Sequence, residues 1–262
     1  PNAGPGNKPI AVGHQYASLN LMPQAADAAA KHWVPPLLIQ RVTSEEKGHQ
    51  VGMEQVAHCI EQCHLQDKLV ISVADSAYAH EAGRVLLSAH SNWVHLCRLN
   101  STRNIYSLPT KSLPGVGNKR RYGKKMTLNK PESHDAPDEI REIEHLTPQG
   151  KVRQMRIKIW TQKVFRGSRD YKAYEHPMTV YQVELLKDCK PVYKNPLWLG
   201  IFGQRRDEIT LDEVLSYYLR RYDIEHFFRF SKRNLLMASY QTPDTLVEEG
   251  GPYSNAERLP IY

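Results

Sequence analysis

Four polar side chains in the last quarter of the chain have the types and the spacing of a phosphodiester-binding site. They are Tyr218, Arg221, Glu225 and Lys232, and the last three follow Tyr218 by 3, 7 and 14 residues. In an α-helix of 3.6 residues per turn, these offsets keep all four on one stripe. A carboxylate between two cations and a phenol can hold a metal ion beside a phosphodiester. The alternative is an amphipathic helix whose charges are solvated and whose aromatic side chains belong to the core.

A second candidate carboxylate, Asp75, ends a short β-branched run. Residues 69–75 are Leu-Val-Ile-Ser-Val-Ala-Asp, the pattern of a buried strand. An aspartate at the end of a central strand lies at the edge of the sheet, where solvent and metal ions reach it. The alternative is that Asp75 caps the element that follows.

The segments around Asp75 predict the elements that position it. Residues 81–89 are typical of a helix and residues 93–99 of a further strand, so 65–99 predicts a parallel strand pair joined by a crossover helix, and hence an α/β fold. Elsewhere the patterns predict an extended segment at 10–22, a strand at 33–42, a helix at 53–66, strands at 152–164, 178–186 and 197–202, and a helix from Leu211 with Thr210 as its N-cap.

Charge is unevenly distributed along the middle of the chain. Residues 98–130 contain no acid, and their Pro and Gly content is typical of a loop, so we expect this segment to contact DNA phosphates, with Tyr106 and Tyr122 available for base stacking. A solvated surface loop is the alternative. The acidic segment 132–144 either folds back on the basic loop or forms an exposed turn or helix, and we expect the latter. The basic residues are Arg98, Arg103, Lys111, Lys119, Arg120, Arg121, Lys124, Lys125 and Lys130.

Composition restricts the partners and the compartment. The 262 residues carry a net charge of +7, which favours a polyanionic partner. No apolar run approaches the ~20 residues that cross a bilayer, and no signal-peptide pattern is present. Four cysteines are too few for a disulfide scaffold and fit a reducing cytoplasm. Cys59 and Cys63 have helical spacing for metal ligation, but buried thiols are the expected interpretation because no second ligand pair follows.

The spacing Tyr-x2-Arg-x3-Glu-x6-Lys matches, at all four positions, the signature of a large group of insertion-sequence transposases. The stretch resembles the helix that supplies the last acid of their Asp-Asp-Glu set, and the likeness runs from about residue 5 to about residue 244. It implies an RNase H-like fold, a mixed sheet flanked by helices and interrupted by a β-rich insertion. The implied division is a first catalytic part (1–98), a β-rich basic insertion (99–195), the catalytic completion (196–245) and an irregular tail (246–262).

The resemblance also implies metal-dependent DNA cleavage and strand transfer, with Mg²⁺ or Mn²⁺ held between carboxylates. Asp75 and Glu225 would then be the catalytic metal ligands. Tyr218 and Arg221 would contact phosphate near the cut, and Lys232 would offer a point charge to the backbone. The implied partners are double-stranded DNA, as terminal inverted repeats and target, and a second copy in a homodimer at the nucleoid. Further candidates for DNA contact are Arg98, Lys119, Arg120, Arg121, Lys124 and Lys125. His14 is a weaker candidate for the site, and an ordinary strand histidine is its expected interpretation.

One carboxylate of the family's set has no counterpart in this sequence. The first catalytic Asp should end a strand upstream of the segment that resembles residues 5–16, and nothing precedes Pro1. Asp27 stands in an alanine-rich stretch that does not resemble a strand end. We therefore expect a truncated fragment with little or no strand-transfer activity. The competing hypotheses are a non-catalytic DNA-binding protein derived from a transposase, and another nuclease of the same fold.

Overall fold

The computed structural model describes residues 15–23, 34–109, 121–146, 152–168 and 172–234. The chain divides into two compact units, one up to Tyr222 and one from Asp223 onward. The first contains a large mixed sheet and few helices, which confirms the predicted α/β class.

The bounds of the elements within the described residues are as follows. The helices are α1 (Gly48–Gln62), α2 (Glu81–Ala89), α3 (Leu211–Arg220) and α4 (Asp223–Asn234). The strands are β1 (Gln15–Asn20), β2 (Pro36–Val42), β3 (Val70–Ala74), β4 (Trp93–Arg98), β5 (Asn104–Ser107), β6 (Lys125–Thr127), β7 (Glu139–Leu146), β8 (Val152–Val164), β9 (Met178–Lys187), β10 (Lys190–Pro191) and β11 (Leu197–Phe202).

The large sheet has nine strands and one parallel pair among its described ladders. Its order is β3-β4-β11-β9-β8-β5-β6, with β7 beside β8 and β10 beside β9. β3 and β4 are parallel and are connected through α2, with Ala74 opposite Cys97. This confirms the strand–helix–strand unit predicted from the β-branched runs. The strands of the predicted β-rich segment 99–195 hydrogen-bond into this same sheet, and β11 lies between β4 and β9.

Side chains of β4 alternate between two hydrophobic clusters, one on each face of the sheet. Trp93 and Cys97 belong to the cluster that contains α1 and α2 residues, whereas Val94 and Leu96 belong to the cluster that contains Val214 of α3. Burying a large apolar side chain contributes about 1.5–3 kcal/mol. The alternation therefore fixes β4 firmly, with helices packed on both faces of the sheet.

A small antiparallel sheet of β1 and β2 packs against α1. Ala17, Val42 and Val51 form its buried cluster, and the amide of Gln55 donates to the Ala17 carbonyl at 3.2 Å. Both predicted strands are confirmed within the described residues, and positions 10–14 and 33 lie outside them.

The acidic segment is not wholly the exposed turn or helix that we expected, because its second half, from Glu139 onward, forms strand β7. β7 pairs antiparallel with β8, which places Glu142 opposite Arg156. The Nε of Arg156 donates to Glu142 at 2.8 Å, and opposite charges across strands stabilise such a ladder. The basic segment is also more regular than predicted, since β5 and β6 pair within it.

Candidate functional site

Asp75 lies directly after β3, at the carboxyl edge of the parallel pair. Its side chain is exposed, and Oδ1 accepts a hydrogen bond from the backbone N–H of Ala77 at 2.9 Å. The carboxylate thereby caps the short 3-10 turn Ser76–Tyr78. Asp75 therefore ends a strand and also caps the following turn, as the two interpretations of the sequence had it. The strand is not buried and central as predicted, because among the described strands β3 lies at the edge of the sheet and its residues are only partly buried.

Arg98 ends the neighbouring strand at the same edge of the sheet. Since Ala74 is opposite Cys97, Asp75 and Arg98 occupy the next positions along the two strands. The Arg98 side chain is exposed, and its charge acts on the phenol of Tyr218. This edge thus brings together Asp75, Arg98 and the C-terminal part of α3.

Helix α3 is fixed by a capping box and by its apolar side. Thr210 accepts from the Glu213 backbone N–H at 3.3 Å, while the Glu213 carboxylate accepts from the Thr210 N–H at 2.8 Å, as the sequence predicted. Tyr218 is 1% exposed and packs in the cluster with Leu96. Burial, followed by the neighbouring Tyr222, raises the pKa of Tyr218.

The prediction that residues 217–232 form one continuous helix is wrong. α3 ends at Arg220, Arg221 and Tyr222 form a turn, and α4 begins at Asp223. The argument that four polar groups share one helical stripe therefore fails, and Tyr218 belongs to the core instead. Its phosphate contact stays a prediction that requires the phenol to become accessible. The turn contains neither Gly nor Pro, so no usual helix breaker marks it in the sequence.

The turn places the Arg221 guanidinium against two aromatic rings. Its carbon lies 4.5 Å from the centroid of the Tyr222 ring and 5.4 Å from that of Tyr218, within the range of cation–π attraction. The buried Nε has no hydrogen-bond partner among the described residues. An arginine that is oriented by ring stacking and retains a spare donor is well suited to a phosphate oxygen.

Glu225 lies in the first turn of α4 and is exposed. Asp223 shares that turn, and acids there are favoured by the helix dipole. Lys232 is a residue of α4, but the contact expected of its side chain lies outside what the structure describes.

Of the five residues Lys119, Arg120, Arg121, Lys124 and Lys125 that we expected to contact DNA from this loop, three are described. Arg121, Lys124 and Lys125 are exposed or partly exposed, whereas Lys119 and Arg120, like His14, lie outside the described residues. The ring centroids of Tyr122 and Tyr106 lie 5.4 Å apart. The Tyr122 hydroxyl accepts from the Gly167 N–H at 2.9 Å. The aromatic side chains that we expected to stack on bases therefore already contact each other.

The acidic segment bonds to the basic segment, and Asp135 provides the charged contact. Its carboxylate accepts from Lys163 at 2.7 Å and from Ser107 at 2.9 Å, and it pairs with Lys124 at 2.9 Å. Burial acts to raise the pKa of Asp135, but hydrogen bonds from Lys163, Lys124 and Ser107 lower it to about 2. Lys124 is thus partly neutralised by the protein itself.

Sequence reasoning missed the cationic surroundings of the turn after Asp75. Arg103 donates to the Ala79 carbonyl at 2.5 Å, and the rings of His80 and His49 lie 4.8 Å apart. Burial lowers the pKa of His80, and the charges of His49 and Arg103 lower it further. No spacing in the sequence signals this cluster, because His49 of α1, His80 before α2 and Arg103 before β5 come from separate segments.

Possible metal ligands are scattered in the described part of the chain. No three side chains of His, Cys, Asp or Glu converge there. Cys59 and Cys63 are free thiols whose sulfur atoms lie 3.9 Å apart, and burial raises the pKa of Cys59. No helix among the described residues is long and apolar enough to span a membrane.

No protein-family model matches this chain, and a search of curated proteins finds no relative of it. The likeness to insertion-sequence transposases therefore rests on the four motif positions and on the strand that ends in Asp75.

Proposed function

We propose that this chain is a DDE-type transposase domain with an RNase H-like fold, which cleaves and transfers DNA strands at the ends of an insertion sequence. The observation that carries the proposal is the carboxyl edge of β3 and β4, where the exposed Asp75 and Arg98 occupy matching positions, one residue beyond the paired Ala74 and Cys97. Active groups of α/β sheets lie outside the carboxyl ends of their strands.

The fold proposal is supported by the arrangement around the parallel pair. α1 and α2 pack on one face of β4 and α3 packs on the other, while antiparallel strands extend the sheet beyond β11. Such a mixed sheet, flanked by helices and interrupted by β-rich sequence, is what the transposase resemblance implies.

In this proposal Asp75 and Glu225 hold the metal. Carboxylate oxygens are the ligands that Mg²⁺ and Mn²⁺ prefer, and both side chains are exposed. No three such side chains converge among the described residues, so the proposal assigns only these two. When bound, the ion would activate the attacking hydroxyl and stabilise the leaving oxygen. Arg221 would bind the phosphate through its stacked guanidinium, and Arg98 would attract the strand to the edge of the sheet.

The proposed partner is double-stranded DNA, bound by a homodimer at the nucleoid. The net charge of +7 and the exposed Arg121 and Lys125 support this partner. Neutralising phosphates releases counterions, so affinity should fall steeply with salt. A fluorescence-anisotropy titration at several salt concentrations measures the slope, and a slope of zero would remove nucleic acid as the partner.

Cleavage is tested on supercoiled plasmid with Mg²⁺, Mn²⁺, Ca²⁺ or EDTA. We expect nicking with Mg²⁺ or Mn²⁺, and its loss in Asp75→Asn and in Glu225→Gln. Asp67→Asn is the matched control, because Asp67 is an exposed turn aspartate close to β3 in the chain. Nicking that persists in both Asp75→Asn and Glu225→Gln would contradict the assignment.

A second function, DNA binding without catalysis, is favoured by one observation. Asp75 already serves as a cap through its bond to Ala77, which accounts for this aspartate without a metal. Under this alternative, the wild-type chain binds DNA equally well with EDTA and never nicks it. The plasmid assay and the salt titration together separate the two functions.

A further inference from the structure

A pocket of about 110 Å³ opens at the end of the sheet opposite Asp75. β11 runs antiparallel to β4, and Phe202 is opposite His95. The residues after β11 therefore lie beside the start of β4, whereas Asp75 and Arg98 lie beyond the ends of β3 and β4. The polar residues of the pocket wall are Arg84, Ser88, Glu175, His176, Gln204 and Arg206.

Arg206 is a buried cation with donor capacity to spare. Its side chain is 9% exposed in the pocket wall. One terminal nitrogen donates to the Gly203 carbonyl at 3.1 Å, and its buried Nε has no hydrogen-bond partner in the described part of the chain. The nearest carboxylate, on Asp207, is 3.8 Å from Nε and largely exposed. Desolvating a guanidinium with so little compensation is costly unless a ligand supplies the missing charge.

Arg84 brings a second buried cation to the same pocket. Its guanidinium lies 4.5 Å from the centroid of the Phe165 ring, and Nε donates to the His80 carbonyl at 3.4 Å. The acid of the lining, Glu175, is exposed and pairs with Lys172 at 3.7 Å. Its charge is therefore offset by Lys172, and the lining contains two arginine side chains, Arg84 and Arg206.

The turn that presents Arg206 depends on glycine. Gly203 has φ +117°, and a Cβ there would lie 2.4 Å from the Trp93 carbonyl oxygen. Only glycine adopts this conformation without strain and permits so close an approach. The Arg206 side of the pocket is thus held by a constrained turn against β4.

We propose that this pocket binds a phosphate group between the guanidinium groups of Arg84 and Arg206. Two arginines suit a small dianionic oxyanion, because each presents a planar fork of donors to its oxygens. The exposed Gln204 supplies an amide donor at the rim. Free phosphate and the terminal phosphate of a DNA end share this chemistry. The site lies at the opposite end of β4 from Asp75 and Arg98, and its existence is independent of the proposed function.

A calorimetric titration of inorganic phosphate into the purified chain tests the pocket. We expect one saturable site and a rise in the unfolding temperature with phosphate concentration. Arg206→Gln should weaken binding at least about tenfold, as expected for loss of a charged hydrogen-bond donor. Arg205→Gln is the matched control, since Arg205 is the adjacent residue and is bonded to Glu208 at 2.6 Å. It should bind phosphate like the wild type.

Gln204→Glu tests the same pocket without disturbing buried packing. Gln204 is exposed, so the variant should fold normally. A carboxylate at the rim repels phosphate, and we expect it to weaken phosphate binding at least about tenfold. Absence of a saturable phosphate site in the wild type, or wild-type affinity in folded Gln204→Glu, would overturn the proposal. Competition by a 5′-phosphorylated duplex, but not by its 5′-hydroxyl form, would support the pocket with DNA ends as the source. If the chain binds phosphate and neither duplex competes, the result would support the pocket with free phosphate as its ligand.

Discussion

Asp75 and Asp135 are two aspartates in contrasting surroundings. Asp75 is exposed at the end of a strand, and its carboxylate accepts a hydrogen bond from the backbone N–H of Ala77. The Asp135 carboxylate accepts from Lys163, Lys124 and Ser107. The side chain of Lys163 is only 7% exposed. The protein itself neutralises Asp135, whereas it leaves the charge of Asp75 facing solvent.

This difference separates an acid that holds the fold from an acid that is available to a ligand. A carboxylate that compensates a buried lysine is costly to remove, because the lysine is then left without a counter-charge. An exposed capping carboxylate can be replaced by an isosteric cap at little cost. Stability and activity measurements should therefore respond to the two aspartates in opposite ways.

The largest expected effect is on stability, from Asp135→Ala. Loss of the carboxylate leaves Lys163 buried and uncompensated, so we expect a loss of about 3 kcal/mol in the free energy of unfolding. Urea denaturation measures it. A loss below about 1 kcal/mol would show that Lys163 reaches solvent easily, and the contrast with Asp75 would disappear.

Asp75→Asn should lower nicking activity and leave stability unchanged. We expect nicking to fall about a hundredfold, as for loss of a metal ligand, with the unfolding free energy within about 0.5 kcal/mol of the wild type. Plasmid nicking and urea denaturation on one preparation give both values. A large stability loss would assign Asp75 to the fold instead.

Acid should act through Asp135. Its pKa is lowered from 3.8 to about 2, so its stabilising contribution is complete above about pH 4 and is lost as the pH falls through 3.8 towards 2. The expected contribution is about 2 kcal/mol. Urea denaturation between pH 5 and pH 2 should show this loss in the wild type and a smaller loss in Asp135→Asn. Equal pH dependence in both would contradict the assignment.

Asp75→Ala should reveal the capping role alone. Unlike asparagine, alanine cannot accept from the Ala77 N–H, so we expect a loss of about 1 kcal/mol. If Asp75→Ala and Asp75→Asn unfold at the same urea concentration, the bond to Ala77 contributes nothing to stability.

Lys124→Met should have the smallest effect. The Lys124 side chain is 60% exposed, and an exposed partner contributes less than about 1 kcal/mol. A loss as large as that of Asp135→Ala would mean that Lys124, and not Lys163, dominates the cluster.

The sequence predicted the segments whose side-chain pattern has one interpretation. The β-branched run of β3, the helical pattern of α2 and the cap at Thr210 all lie where we expected them, because local chemistry determines each. β7 was misjudged because its acids are typical of a surface turn, and only the opposing basic residues of β8 make them a strand.

The candidate site was harder to predict. The turn at Arg221 and Tyr222 has no breaker residue, and helical dihedral angles persist at Arg221, with φ −51° and ψ −31°. Tertiary packing overrides local propensity at such a position. Asp75 and Arg98 could be brought together from the sequence because a parallel pair aligns its strand ends. The buried pair Arg84 and Arg206 could not, since more than 100 residues separate its members.

The position of β11 has a consequence for biosynthesis. β4 ends at Arg98, yet its second neighbour begins only at Leu197. As the chain emerges from the ribosome, one edge of β4 stays unpaired while about a hundred further residues are translated. An open apolar edge invites pairing with other chains, and ladders between distant segments form slowly. Chaperone binding to nascent chains should therefore be strongest before β11 has been synthesised.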